Sequence, residues 1–182
     1  MPLLLVLAAL AAAPNGTITV SQSSGDYKYV AELVLTGSTV RGTVKASHIV
    51  ESKTDGDATM ECDVDGKVST VTRKVKVETI HRSALVKTVS LSAEVSGAGD
   101  DDTVSVSFTI PEFRDGRSET VVKKTIAGGC GSDETPVTTE RTSMPRPWGV
   151  DAREVNFSGP LKGSETHADT TVTWSLGAAP KR

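Results

Sequence analysis

Apolar and polar residues alternate with a period of two along most of the chain, from Thr17 to Leu176. The clearest run is Leu85–Val95, in which Leu85, Val89 and Leu91 share one parity with a single polar interruption. Successive side chains of a strand point to opposite faces, so this alternation predicts half-buried strands. No stretch after the first residues has the 3.6-residue period of an amphipathic helix. The pattern therefore predicts an all-β chain.

The alternation predicts about ten strands separated by short turns. The predicted strands are Thr17–Val20, Tyr27–Thr36, Thr39–Glu51, Ala58–Val64, Val68–Arg82, Leu85–Val95, Thr103–Ile110, Ser118–Ile126, Val137–Ser143, Val150–Ser158 and Thr170–Leu176. Glycine and aspartate mark the turns between many of them. The predicted turns lie at Gly37-Ser38, Asp55–Asp57, Asp65-Gly66 and Asp115-Gly116.

Composition supports the same fold class. The chain has 182 residues, with 23 Val and 23 Thr, and β-branched residues favour strands over helices. Many short strands with frequent turns predict an antiparallel β-sandwich of immunoglobulin-like or jelly-roll-like architecture, with a barrel as the alternative. Both tryptophans follow Cys130, so the immunoglobulin signature of a Trp between two cysteines is absent. We expect a single domain from 17 to 176 and a loose C-terminal tail from 177 to 182.

The first residues predict export. The segment Pro2–Ala13 is apolar and ends in small residues, and it is too short to span a bilayer as a mature helix. We expect residues 1–11 to be a signal segment that is cleaved after Ala11, although no Lys or Arg precedes the apolar run. Cleavage after Ala13 also fits the small-residue pattern but would place Pro14 directly after the cut. A buried or frayed N-terminal segment is the alternative. The expected location is therefore secreted, periplasmic or at the cell surface, with no stable membrane span in the mature form.

The two cysteines fit an oxidising compartment. Cys62 and Cys130 are an even pair, and Cys130 lies in a glycine-rich stretch that is able to reach a strand. We expect a Cys62–Cys130 disulfide, worth roughly 4 kcal/mol in the chain-entropy model. A free thiol or a metal ligand is the alternative, but two cysteines without further ligands are a weak zinc signature.

One stretch of the chain is strongly basic. Lys74, Lys76 and Arg82 share one parity of a predicted strand, so they would project from one face as a stripe. Such a stripe is able to attract a polyanion, although lysines on a sheet also serve as a solvated face that prevents edge pairing. The formal net charge of the whole chain is −3, which argues against a nucleic-acid partner.

A second candidate is the segment Met144–Gly149, which contains two prolines. It is not compatible with a central strand, since each proline removes a ladder donor, and it is predicted as a loop. Within it, Arg146 and Trp148 are candidate contacts for a binding partner. Trp148 is equally suited to fold back as a plug over one end of the sandwich.

Catalytic motifs are missing from the sequence. His48 and His81 each lie in a predicted strand without a carboxylate or second ligand at a recognisable spacing, which favours a structural role. We expect no catalytic residues, metal or cofactor. The sequence favours a non-catalytic binding or scaffolding module whose partner is an envelope or extracellular protein or a glycan. A carbohydrate- or polyanion-binding module is the first alternative, and a small hydrolase with a dispersed active site is the second.

Overall fold

The computed structural model describes residues 14–97, 103–127 and 138–177, and these ranges contain eleven β-strands and no helix. The strands are β1 (Asn15–Ser24), β2 (Tyr27–Thr36), β3 (Thr39–Val64), β4 (Lys67–Ser92), β5 (Glu94–Gly97), β6 (Thr103–Ile110), β7 (Phe113–Ala127), β8 (Thr138–Val150), β9 (Arg153–Pro160), β10 (Lys162–His167) and β11 (Thr170–Gly177).

The strands form two antiparallel sheets. The larger sheet has eight strands in the order β10-β11-β1-β2-β3-β4-β7-β8, and the smaller has three in the order β5-β6-β9. Neither sheet closes on itself within the described ranges. The predicted antiparallel β-sandwich is therefore confirmed, and its closed alternative is wrong.

The chain divides into two compact units. Unit 1 comprises Met1–Ala46, Leu85–Arg114 and Gly149–Arg182, and unit 2 comprises Ser47–Ala84 and Asp115–Trp148. The long strands β3 and β4 each contribute residues to both units. The expectation of one domain from 17 to 176 stays a prediction. The predicted signal segment and most of the C-terminal tail, from 178 onward, lie outside the described residues.

Unit 1 contains a dense apolar core because its strands alternate strictly. In β2 the side chains of Tyr29, Ala31, Leu33 and Leu35 are buried and those between them are more exposed, as the alternation predicts. Strand β6 follows the same rule. The other buried apolar residues of these two sheets include Ile18, Val20, Val40, Val44, Leu85, Val89, Val104, Val106, Phe108, Ile110, Val155, Phe157, Val172, Trp174 and Leu176.

An aromatic pair joins the two sheets of unit 1. Phe157 on β9 stacks against Trp174 on β11, with ring centroids 4.4 Å apart and an angle of 21° between the planes. The Trp174 indole Nε1 donates a hydrogen bond of 2.8 Å to the carbonyl oxygen of Pro160. Trp174 thus packs its apolar rings inside the sandwich while its one polar atom is satisfied.

Arg153 makes the second link between these sheets. It begins β9, and its guanidinium donates to the Thr170 hydroxyl on β11 at 2.9 Å and to the side-chain oxygen of Gln22 on β1. The same guanidinium carbon lies 4.3 Å from the ring centroid of Tyr29 on β2. Burial raises the pKa of Tyr29 to about 12, although the Arg153 charge acts in the opposite direction. Tyr29 is therefore a neutral ring under the cation at physiological pH.

Unit 2 is built from the far ends of β3 and β4 together with most of β7 and β8, and its strands are much more exposed. The predicted turn at Asp65-Gly66 is confirmed, since both residues have positive φ between β3 and β4. The predicted turns at Asp55–Asp57 and Asp115-Gly116 are wrong, because both segments continue as strand. Pairing with neighbouring strands, which is not visible in a local Asp-Gly signal, decides these positions.

Cys62 is a buried residue of unit 2. Its side chain is 1% exposed, and its sulfur accepts a hydrogen bond of 3.4 Å from Nη2 of Arg73, which is also buried. Cys130 lies outside the described residues. The Cys62–Cys130 disulfide therefore stays a prediction.

The Trp174 contact yields a stability prediction. Gly163 lies opposite Trp174 in the β10–β11 pairing, and a Cβ at Gly163 would come within 2.4 Å of the indole. At Gly159 the corresponding distance is 3.5 Å, which is an ordinary contact. We expect Gly163→Ala to lower the free energy of unfolding by about 1–3 kcal/mol through overpacking. The matched control Gly159→Ala should stay within about 0.5 kcal/mol of wild type in urea denaturation. Equal stability of the two variants would contradict this packing.

Candidate functional site

The predicted basic stripe lies on the exposed side of β4 in unit 2. Lys74, Lys76 and Arg82 are all exposed and share one parity, as predicted. The structure adds an acidic partner to each lysine. Lys74 Nζ lies 2.7 Å from Asp57 Oδ1, and Lys76 Nζ lies 3.4 Å from Glu78 Oε1.

Glu78 is the centre of the charge network on this face. Three ammonium groups surround its carboxylate, at 3.8 Å for Lys53, 3.4 Å for Lys76 and 3.6 Å for Lys123. Partial desolvation pushes the pKa of Glu78 up. The hydrogen bond and charge of Lys76, with the charges of Lys123 and Lys53, outweigh it and hold this pKa below its usual value. Glu78 is thus ionised at neutral pH and offsets part of the lysine charge.

The lysines of the stripe also border an open groove that contains acidic residues. This groove has a volume of about 620 Å³, and Asp55, Asp57, Lys74 and Lys76 are among the residues that line it. The hydrogen bond from Lys74 to Asp57 raises the pKa of Lys74. Because cations and anions are interspersed here, Lys74 and Lys76 do not form a continuous positive surface. Their contact with a polyanion stays a prediction.

The segment with Arg146 and Trp148 is not a loop. The structure includes it in β8, so the expectation that Met144–Gly149 forms a loop is wrong. The physical reason is that β8 is an edge of the eight-stranded sheet, where Pro145 and Pro147 remove no central ladder donor. Arg146 is exposed and Trp148 is partly buried.

Arg146 borders a second open groove in unit 2. Its volume is about 570 Å³, and its walls are Gly116–Glu119 of β7 and Pro145–Pro147 of β8. Arg117 and Arg146 therefore face the same space from neighbouring strands. We call this feature the arginine groove.

Arg82 does not line the arginine groove, but strand pairing places it directly beside a residue that does. In the β4–β7 register Arg82 pairs with Glu119, and Ala84 pairs with Arg117. Directly paired residues share a face, so Arg82, Arg117 and Glu119 lie on the same exposed side of the sheet. Arg82 was predicted as part of the stripe and Arg146 as part of a loop. The register places Arg82 opposite Glu119, which lines the same groove as Arg146. Lys74 and Lys76 lie farther along β4, at the other groove.

The charges at the arginine groove are not balanced locally. Within the described part of the chain, no ion pair or hydrogen bond engages the guanidinium of Arg82, Arg117 or Arg146. Among the described residues that line the groove, Glu119 is the carboxylate, and it accepts a hydrogen bond from the Ser143 hydroxyl. Three unengaged guanidinium groups therefore lie near one carboxylate, an arrangement that favours an anionic ligand.

The two strand histidines lie close together in unit 2. The rings of His48 and His81 are 6.0 Å apart between centroids, in an edge-to-face arrangement. Hydroxyl groups surround His81: Thr120 Oγ1 is 2.9 Å from Nδ1, and the hydroxyls of Ser83 and Ser118 are each 3.2 Å from Nε2. Ser83 and Ser118 are 2% and 5% exposed. This network gives the two buried serine hydroxyls a hydrogen-bond partner.

The described residues contain neither a metal-binding cluster nor a membrane-spanning helix. No group of three or more His, Cys, Asp or Glu side chains is arranged to hold a metal ion among the described residues. None of the described residues forms a helix of the length and apolarity that a membrane crossing requires.

Comparisons of the chain with protein-family models, curated proteins and solved structures each find no match.

Sequence reasoning missed Arg117. It directly follows Asp115-Gly116, which was predicted as a turn, so its side chain had no assigned neighbours. The signal available in the sequence was the parity of Arg117 with Glu119, but the register with β4 is needed to bring it beside Arg82.

The Glu78 network yields a prediction for the stripe. Glu78→Gln removes the carboxylate between three lysines, so the variant should elute from a heparin column at higher salt than wild type. Glu94→Gln, which alters an exposed carboxylate of unit 1, changes the net charge equally and should elute with wild type. If both variants elute together, Glu78 does not control the charge of this face.

Proposed function

We propose that this protein is an exported, non-catalytic module that binds or scaffolds an envelope or extracellular protein or glycan. The arginine groove is the observation that carries the proposal. It combines an open cleft lined by Arg117 and Arg146 with Arg82 beside it on β4, and no described acidic side chain engages any of these three guanidinium groups. Proteins expose most of their charges singly, whereas several unengaged cations of one sign around a cleft favour the capture of a ligand.

The chemistry of the groove suits recognition better than catalysis. A guanidinium does not lose its proton at physiological pH, and it recognises carboxylate, sulfate or phosphate by a planar pair of hydrogen bonds. The walls add the rings of Pro145 and Pro147, which supply apolar contact area. His81, the residue that a hydrolase would use, has hydroxyl neighbours and no carboxylate partner among the described residues.

Unit 1 supplies the scaffold in this proposal. Its sandwich has a closely packed core, with Phe157, Trp174 and Arg153 tying the two sheets together. Within unit 2, the antiparallel pairing of β4 with β7 fixes the register of these two strands. A rigid framework reduces the ordering cost that a binding surface incurs when it meets its ligand.

Export and the disulfide belong to the same proposal. We infer removal of residues 1–11 and oxidation of Cys62 with Cys130 after export, because a small exposed unit gains stability from a cross-link that closes a long loop. The burial of Cys62 and its hydrogen bond from Arg73 fit a sulfur with a structural role.

The proposal predicts that a partner contacts unit 2 at the groove. A photoactivatable p-benzoylphenylalanine in place of Pro147 should form a covalent adduct when the protein is irradiated in its native compartment. The same residue in place of Val34, which is 51% exposed on β2 of unit 1, is the matched control and should form none. Adducts are read as a mass shift on a denaturing gel and identified by mass spectrometry.

Two outcomes contradict the proposal. Adducts of equal yield from both positions would indicate random collisions. The absence of adducts from the Pro147 position, in protein that remains folded, would indicate that the groove meets no partner.

A further inference from the structure

We propose that the arginine groove binds an acidic glycan, a polysaccharide that carries carboxylate or sulfate groups. This inference rests on the proposed binding function and names the ligand class for the same site. Its basis is a groove lined by Arg117, Arg146 and Glu119, with Arg82 beside it on the neighbouring strand β4, opposite Glu119 in the strand register.

The arginines are spread over three strands. Arg82 is on β4, Arg117 on β7 and Arg146 on β8, so together they span the width of this part of the sheet. Arg82 and Arg117 are diagonal neighbours across one strand pair, a relation that separates Cβ atoms by about 7–8 Å. A ligand that meets all three must therefore carry several separate anionic groups. A polysaccharide with regularly repeated acidic sugars meets this requirement within a single chain.

The carboxylate of Glu119 favours a ligand that carries hydrogen-bond donors as well as anionic groups. Its register position lies opposite Arg82, two residues from Arg117, and its side chain accepts a hydrogen bond from Ser143. A carboxylate at this place repels a ligand that carries only negative charge, but it is an acceptor for hydroxyl donors. An acidic sugar presents both anionic groups and hydroxyl donors, so it complements guanidinium and carboxylate together.

An acidic peptide fits the groove less well. Extended peptides commonly bind by adding a strand to an exposed sheet edge, where main-chain hydrogen bonds supply affinity. The edge strand here is β8, and Pro145 and Pro147 remove two donors of the same parity from it. Strand addition is therefore disfavoured beside the arginine groove, which leaves recognition through side chains.

The test compares defined ligands by isothermal titration calorimetry with the full mature protein. The probes are an oligogalacturonate for carboxylate, a heparin-derived oligosaccharide for sulfate, a neutral maltooligosaccharide of similar length and a polyglutamate peptide. We expect at least one acidic oligosaccharide to bind in a salt-dependent manner, and the neutral sugar not to bind. Comparison of the first two probes identifies the anionic group.

Arginine substitutions locate the site. Arg117→Gln and Arg146→Gln should each weaken binding by about tenfold or more, since each removes a charge-assisted hydrogen-bond donor pair. The matched control is Lys74→Gln, which also removes one exposed positive charge from unit 2 but at the other groove, and it should change affinity less than about twofold. Exposed substitutions of this kind rarely alter folding, and thermal melts of each variant verify this.

Three results would overturn the inference. They are the failure of both acidic oligosaccharides to bind at low salt, binding of polyglutamate as tight as that of the glycans, and equal weakening by Lys74→Gln and Arg117→Gln. If the glycans fail while a protein adduct still forms from the Pro147 position, the binding function stands and only its glycan ligand is wrong. If neither occurs, both fail.

Discussion

The guanidinium of Arg153 joins the two sheets of unit 1 at the start of β9. It donates to side chains on β1 and β11 and lies over the ring of Tyr29 on β2. Farther along β9, Phe157 stacks on Trp174 of β11. These two contacts fix the small sheet against the large one at separate points, so the alternating apolar residues between them are able to pack as one core.

The other arginines have the opposite role. Arg153 contacts Thr170, Gln22 and Tyr29 of unit 1. The guanidinium groups of Arg82, Arg117 and Arg146 in unit 2 make no ion pair or hydrogen bond with a described residue. The lysines of unit 2 differ again, since Lys74 and Lys76 are compensated by Asp57 and Glu78. Positive charge thus contributes to folding in unit 1, is compensated at Lys74 and Lys76 of β4, and is available to a ligand at and beside the arginine groove. Our functional proposal depends on this distinction.

Much of the fold could be predicted from the sequence because period-two alternation is a local property. Tyr27–Thr36 and Thr103–Ile110 have the predicted bounds, and the turn at Asp65-Gly66 is present. Asp55–Asp57 and Asp115-Gly116 carry the same local signal but lie inside β3 and β7, because pairing with neighbouring strands is not encoded in a local Asp and Gly pattern. The alternation does not predict β10, because its residues are mostly polar; the structure pairs it with β11, with Gly163 opposite Trp174.

The clustering of the arginines at the candidate site could not be predicted from the sequence. Arg82 and Arg146 were each singled out, but for separate reasons and in separate places. Their common neighbourhood depends on the β4–β7 register and on the position of β8 as an edge strand, and both are long-range properties. Arg117 completes the groove and was missed for the same reason.

Arginine footprinting tests this account most directly. The folded protein is treated briefly with phenylglyoxal, which modifies accessible guanidinium groups, and the rate at each arginine is measured by peptide mass spectrometry. We predict fast modification of Arg82, Arg117 and Arg146 and slow modification of Arg153, whose guanidinium is held by hydrogen bonds and an aromatic ring. Modification of Arg153 as fast as that of the groove arginines, or protection of all three groove arginines in the protein alone, would contradict it.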